Sequence, residues 1–357
     1  MPKIIYRSLV KELSITFFLT LAFLNAILMM EKMLRLSRLL SGVGATLYNM
    51  LKIIFYLQPQ LMLLTIPMSL LLSILLVYGR MNQDNEIIIL KASGMDFKKI
   101  STPVFLFGVF CFGASLAVSF YFGPAGSVRL RDEITRTIAV GSTRAVEEGT
   151  FNSSFKDIVI LVKGKRDHDI LEDIFIYDNR NKEEPKVLVA KEGELFIQNG
   201  LNIALSLKNG YINITKGNNT TELFFDIYIL GLSIDSESKA PPKNEFTPLE
   251  LLRKTKGAAP DKEKTSFALA FHRRLTLPLI CIALIFLGPP LAQLSGKSGR
   301  LGGLAIGLLV FALYYILLIY GENLASAGRI PPFIGAWMPS AALALLAALL
   351  YRRESAK

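Results

Sequence analysis

The sequence predicts a membrane α-helical protein in which three transmembrane helices precede, and three follow, an inserted all-β domain. Three observations carry this prediction. Six stretches without a charged residue reach or approach the length of about 20 apolar residues that a helix needs to cross a bilayer. Between the third and fourth stretch the hydrophobic pattern changes to the period of two that marks β-strands. Basic residues are also shared unequally between the two sets of short loops that such a topology creates.

The first three stretches are Leu13–Met30, Ile53–Gly79 and Ile100–Val128; the second three are Leu275–Gly296, Leu301–Gly321 and Ile330–Tyr351. With 52% hydrophobic residues collected into blocks of this kind, a water-soluble domain of 357 residues is excluded. Lys3, Arg7 and Lys11 ahead of the first stretch imitate a secretory signal. No small-residue cleavage site follows Met30, and the helical pattern continues through Glu31, Arg35 and Arg38 to Leu40, with Gly42 as its stop. An uncleaved anchor is therefore expected.

The formal net charge of +11 invites a nucleic-acid reading, but its location removes the support. Residues 129–274 hold 23 Lys and Arg against 22 Asp and Glu, so +10 of the excess lies in the membrane-associated parts. With the N-terminus inside, the inner tails and short loops carry 12 basic residues and the outer short loops carry 5. Short loops rich in Lys and Arg stay on the cytoplasmic side. Both termini are thus expected to be cytoplasmic and the insert external.

From about Phe155 to Leu230 the alternation is that of strands, as in Ile203, Leu205, Leu207 and again in Leu223, Phe225, Ile227, Ile229. Further strands are expected at Asp157–Val162, Ile170–Tyr177 and Lys186–Ile197, with Asn199-Gly200 and Asn209-Gly210 as hairpin turns. An antiparallel sandwich or an open roll fits this pattern. Its apolar face closes on itself, holds a long apolar ligand, or pairs with another sheet. Residues 236–262 read as a linker with a short helix, capped by Thr247 and started by Pro248. The resulting division is 1–128 for helices one to three, 129–262 for the β-domain and linker, and 263–357 for helices four to six.

Catalytic chemistry is missing. His168 and His272 lie in unrelated regions, and Cys111 and Cys281 fall inside spans as small packing residues. Gly296-Lys297-Ser298 resembles the end of a phosphate-binding loop, but it lacks the preceding strand and the Gly at position 291. Gly303 and Gly307 have the spacing of close helix packing.

Three constellations remain. The inner loop from Arg80 to Gly94 holds a helix of about residues 84–93, capped by Asp84 and stopped by Gly94; at roughly 15 Å it cannot cross a bilayer and must lie along the surface. Glu86 in its first turn is either a contact for a basic residue of a soluble partner or a favourable charge at the positive helix end. Lys32, Arg35 and Arg38 violate the positive-inside pattern; they can bind phosphates of an anionic lipid or snorkel to ordinary headgroups. Pro59, Pro67, Pro278, Pro289 and Pro290 allow kinked helices.

The arrangement and several stretches resemble the lipopolysaccharide export permeases of the LptF/LptG family. The local matches are Tyr78-Gly79-Arg80 through Asn85-Glu86 to Ala92-Ser93-Gly94, Phe271-His272-Arg273-Arg274, and Gly328 to Pro339 before the last span. Arg273-Arg274 leans toward the F type, while the Pro331-Pro332 stretch is similar to the G type as well. The resemblance implies a periplasmic jellyroll-like β-domain and a non-catalytic half-transporter in the inner membrane of a Gram-negative cell. It implies no cofactor on this chain, with ATP and Mg used by an LptB-like ATPase dimer that receives the coupling helix. The other implied partners are the second LptF/LptG permease, an LptC-like bitopic protein, an LptA-like periplasmic bridge and lipopolysaccharide, with no nucleic acid. By position Glu86, with Asp84 and Arg80 beside it, falls in the coupling loop, and Lys32, Arg35 and Arg38 fall where family members place basic residues against lipid phosphates. Two other classes compete. A permease of the lipoprotein-releasing or macrolide type would carry its large domain between spans one and two, and a membrane scaffold with a protein-binding β-domain would need no coupling helix.

Overall fold

A computed structural model describes residues 2–40, 47–145, 149, 151–155, 157–166, 170–181, 184–199, 202–216, 219–233, 243–256, 261–294 and 299–355. Helices α1 (Pro2–Leu40), α2 (Leu47–Gln83), α3 (Glu86–Ala92) and α4 (Phe97–Ala117) are followed by a π-helical turn at Val118–Phe122 and by α5 (Gly123–Ala145). Strands β1 (Phe151–Phe155), β2 (Ile158–Arg166), β3 (Ile170–Asp178), β4 (Lys186–Asn199), β5 (Asn202–Lys216) and β6 (Asn219–Ser233) come next. A 3₁₀ turn at Lys243–Glu245 leads to α6 (Pro248–Lys256), α7 (Asp261–Leu294), α8 (Gly299–Ser326) and α9 (Pro332–Ser355). Among the described residues, six helical segments are long and apolar enough to span a membrane, three on each side of the strands. The third is longer than its apolar core, because helix continues past Val128 to Ala145.

The chain forms two compact units, Met1–Met30 with Gln58–Ser127 and Pro242–Lys357, and Glu31–Leu57 with Val128–Pro241. In the first, α2 and α7 are the inner helices. Their charge-free segments are largely buried, whereas α1, α8 and α9 expose most of theirs. Leu70, Ile74, Leu75 and Tyr78 of α2 meet Ile280, Leu284 and Leu287 of α7, with Cys111 and Cys281 buried as free thiols in the same core. Gly303 and Gly307 do serve close packing. A Cβ on Gly303 would stand 3.1 Å from the Leu75 carbonyl oxygen, and one on Gly307 would stand 2.7 Å from Leu72.

In the second unit, the strands form one antiparallel sheet in the order β1 to β6, each beside its sequence neighbour. A single sheet buries one face only by curling. Arg180, just after β3, shows the curl by donating from Nη1 to the Gly231 carbonyl oxygen of β6 at 2.9 Å, although two strands separate β3 from β6. The enclosed face holds Ile160, Val162, Ile176, Leu188, Leu205 and Leu230. Of the two arrangements compatible with the alternation, the open roll is the one found.

Asn209-Gly210 is not a hairpin turn. It lies inside β5, paired on both sides, with Lys208 opposite Glu192 and Ile227, and Gly210 opposite Ala190 and Phe225. Asn209 takes φ 54° and Asp173 of β3 takes φ 48°, the left-handed region that Asn and Asp tolerate best among residues with a Cβ. At this row the buried phase slips by one residue, from Leu171 to Ile174 in β3 and from Leu207 to Ile212 in β5. A turn dipeptide in mid-strand is thus a device that bends the sheet. Asn199, by contrast, ends β4, and Gly200 lies outside the described residues.

Gly210 is required by close approach. A Cβ there would collide with the Val189 carbonyl oxygen and stand 2.6 Å from Phe225 Cζ, whereas Gly231 has nothing within 4 Å. Gly210→Val is expected to destabilise the β-domain by roughly 2–3 kcal/mol, the cost of overpacking against backbone. Gly231→Ala is expected to be close to neutral. Hydrogen exchange of β4 and β5 in the full chain checks both; equal protection in the two variants would contradict this packing.

Asp178 and Arg180 contribute a pH dependence. Burial raises the Asp178 pKa, but hydrogen bonds from the Arg180 side chain at 2.6 and 2.9 Å and from its backbone outweigh it, leaving the carboxyl below its ordinary value. A depressed folded-state pKa adds stability above the ordinary carboxylate pKa and loses it as pH falls through the folded value. Protection of β3 is therefore expected to fall on acidification below about pH 4, and Asp178→Asn is expected to flatten that fall. Unchanged acid sensitivity in Asp178→Asn would remove this pair from the account.

Candidate functional site

The loop between α2 and α4 is built from both ends. Tyr78 is fully buried and its hydroxyl donates to the Ile100 carbonyl oxygen at 2.7 Å, which ties the end of α2 to the start of α4. Within α3, Ile87 is buried and Leu90 packs on the bundle core. The C-terminus closes as a Schellman motif: Gly94, at φ 86°, donates to Lys91 O at 3.0 Å and Met95 donates to Leu90 O at 3.1 Å. Gly94 is thus the stop expected from its position.

The N-terminus differs from expectation. Asp84 does not cap α3; Asn85 occupies the cap position at φ 58°, without a side-chain hydrogen bond, and the helix has 7 residues rather than about ten. Asp84 turns back because Arg80 competes for its carboxylate, at 3.1 Å.

Arg80 is the centre of the site. Its Nε and Nη2 donate to Glu12 of α1 at 2.8 and 3.0 Å, as a two-point pair, and its Nη1 also donates to Glu86 at 2.6 Å. One guanidinium thus gathers three carboxylates, leaving a local surplus of two negative charges. With side chains between 24% and 52% exposed, each pair contributes about 0–1 kcal/mol, so the cluster orients the loop more than it stabilises the fold. Glu12 was not recognisable as a member because it lies 68 residues from Arg80 in sequence.

Ile88 and Ile89 are also outside the sequence reading. They are 59% and 64% exposed, on a helix whose other large apolar residues, Ile87 and Leu90, face the bundle. The available signal was the run Ile87-Ile88-Ile89, since one short helix cannot bury three consecutive residues on one face. The loop therefore presents an apolar pair beside a negatively charged cluster.

Lys32, Arg35 and Arg38 all lie on α1, within its last three turns. Lys32 is half-buried, and the side chains of Arg35 and Arg38 lie outside the described residues. The backbone places Arg35 and Arg38 three apart on one helical face. Further toward the N-terminus α1 exposes Ile15, Phe18, Leu19, Phe23 and Ile27.

His168 and Gly296-Lys297-Ser298 lie outside the described residues. His272 is a packing residue, accepting at Nδ1 from Trp337 Nε1 at 3.3 Å and lying against Phe333.

The family profile described as "Lipopolysaccharide export system permease LptF/LptG" matches residues 7–353. An uncharacterized protein of Rickettsia prowazekii (strain Madrid E) is 26% identical over 296 residues, covering 79% of this chain and 81% of that protein. The Escherichia coli (strain K12) lipopolysaccharide export system permease protein LptF is 21% identical over 290 residues, 78% of this chain and 75% of its own length. LptG of the same strain is 22% identical over 329 residues, 88% of this chain and 87% of its own length.

Proposed function

The chain belongs to the LptF/LptG family of lipopolysaccharide export system permeases, and on that premise we propose that it is one half of the membrane part of an ATP-driven exporter. It is a multi-pass inner-membrane protein with six spanning helices and a β-domain inserted between the third and fourth. A lipoprotein-releasing or macrolide-type permease, with its large domain between spans one and two, does not fit this order.

In the proposed orientation both termini and α3 face the cytoplasm and the β-roll faces the periplasm. The distribution of basic residues supports it, with 12 in the inner tails and loops against 5 in the outer short loops. ATP and Mg act on a separate LptB-like ATPase dimer. The remaining proposed partners are the other permease of the pair, an LptC-like bitopic protein and an LptA-like bridge.

The observation that carries the reading is the α3 loop. Ile88 and Ile89 offer an apolar contact, and the Glu12, Asp84 and Glu86 carboxylates around Arg80 leave room for one more cation. A soluble partner with an apolar groove edged by Arg or Lys satisfies both. Movement of that partner then reaches α2 and α4 through Tyr78 and Ile87. Lipopolysaccharide engages the basic turns of α1, phosphates against Lys32, Arg35 and Arg38 and acyl chains against apolar helix faces. The enclosed apolar face of the β-roll gives those chains a path away from water.

Co-expression with the ATPase and the second permease tests the assembly. A complex containing an ATPase dimer, both permeases and co-purifying lipopolysaccharide is expected. A chain that purifies alone, with the ATPase rate indifferent to it and to lipopolysaccharide, would instead favour the scaffold reading.

A further inference from the structure

The helix bundle contains a cavity of about 470 Å³, lined by both apolar and charged side chains, that has no part in the export proposal. It lies between α2, the π-helical turn, α7, α8 and the 3₁₀ turn, and all its lining residues belong to one compact unit. Arg273 and Arg274 immediately precede the charge-free stretch that starts at Leu275, and Glu322 immediately follows the one that ends at Gly321. All three therefore stand where a membrane's hydrocarbon gives way to headgroups.

Two partly buried charged side chains line this cavity, and each keeps one buried atom without a partner among the described residues. Arg274 donates from Nη2 to the Asn244 carbonyl oxygen at 2.8 Å, while its Nη1, buried, has no partner among the described residues. Glu322 accepts at Oε2 from Arg273 at 3.4 Å, while its Oε1, also buried, has none among them. Charged donors and acceptors withdrawn from water are rarely left so. The π-helical turn supports the geometry, because Ser119 within it donates to the Arg274 carbonyl oxygen at 2.7 Å and fixes the backbone from which the guanidinium projects.

An inorganic phosphate or a phosphatidylglycerol headgroup would complete Arg274 and leave Glu322 bare. A simple cation would do the reverse. A ligand that carries a phosphodiester and an ammonium a few bonds apart completes both. We propose that this cavity seats the headgroup of a phosphoethanolamine lipid, its phosphate on Arg274 and its ammonium on Glu322. Leu63, Leu64 and Leu277 supply the apolar wall for the glyceryl portion. None of its lining residues belongs to α1 or to the α3 loop, so the proposal stands whether or not the exporter assignment does.

The test is native mass spectrometry of the full chain in detergent with phosphatidylethanolamine or phosphatidylglycerol of the same acyl composition. Wild type is expected to retain phosphatidylethanolamine about tenfold better, the size of one charge-assisted interaction. Arg274→Gln is expected to lose both lipids. Because Arg274 also holds the Lys243–Glu245 turn, Glu322→Gln provides the second arm. It is expected to keep phosphatidylglycerol and to lose the preference to within about twofold. Equal retention of the two lipids by wild type, or an unchanged preference in Glu322→Gln, would overturn the proposal. Displacement of the lipid by inorganic phosphate would overturn it in favour of a free-phosphate site, and one-for-one displacement by purified lipopolysaccharide would place the cavity on the substrate path instead.

Discussion

Glu86→Lys is expected to uncouple the partner ATPase while leaving the helix bundle folded. The substitution brings the cluster of Glu12, Asp84, Glu86 and Arg80 from a surplus of two negative charges to none, and sets a second cation beside Arg80. A basic partner residue that approaches the loop then loses an acceptor and meets a like charge. At a partly exposed contact this costs on the order of 2 kcal/mol, roughly thirtyfold in docking. Folding survives because α3 is held by buried Ile87 and by the Schellman closure at Gly94, neither of which involves Glu86. Arg80→Gln separates the two roles of the cluster. It frees Glu86 but loosens the tie to α1, so a smaller loss is expected. The measurement is ATPase rate and co-purification of the assembled complex. A Glu86→Lys complex with normal assembly and normal lipid-stimulated hydrolysis would leave Glu86 as a mere helix-end charge.

Reversal of the basic turns of α1 carries the other large effect. Arg35→Glu with Arg38→Glu is expected to lower lipopolysaccharide crosslinking from a photoreactive residue at Phe23 by about tenfold, since two attractions to phosphate become two repulsions. Phe23 suits the probe because it is 66% exposed on the same helix. Lys52→Glu provides the control for added negative charge. Its ammonium is already 3.6 Å from Glu133, so it is engaged within the protein rather than with lipid. Unaltered crosslinking in the double variant, at normal expression, would return Arg35 and Arg38 to snorkelling toward ordinary headgroups.

The six spans, their division into three and three, and the β insert were legible in the sequence because each rests on a pattern local to its own segment. A charge-free run long enough to cross a bilayer must be helical whatever surrounds it, since its backbone has no other way to pair. The short helix after Thr247 was legible for the same reason. Thr247 and Glu250 exchange reciprocal hydrogen bonds, and Pro248 lacks the N–H that the first turn would leave unpaired.

Local pattern failed where two local signals conflicted or where the partner lay far away. Asn209-Gly210 has the composition of a turn, but pairing along both edges of β5 overrides it and uses its freedom to bend a continuous strand. Asp84 has the composition of a helix cap, but Arg80 one turn earlier is the stronger partner. Glu12 with Arg80, Arg180 with Gly231 and Arg273 with Glu322 join segments whose spacing in the chain carries no signal. By itself the sequence determined which segments leave water and where helix gives way to sheet, because those free energies are summed residue by residue along the chain. Only the tertiary structure decided which charges meet and which apolar residues of α3 stay exposed, because those depend on which segments pack together.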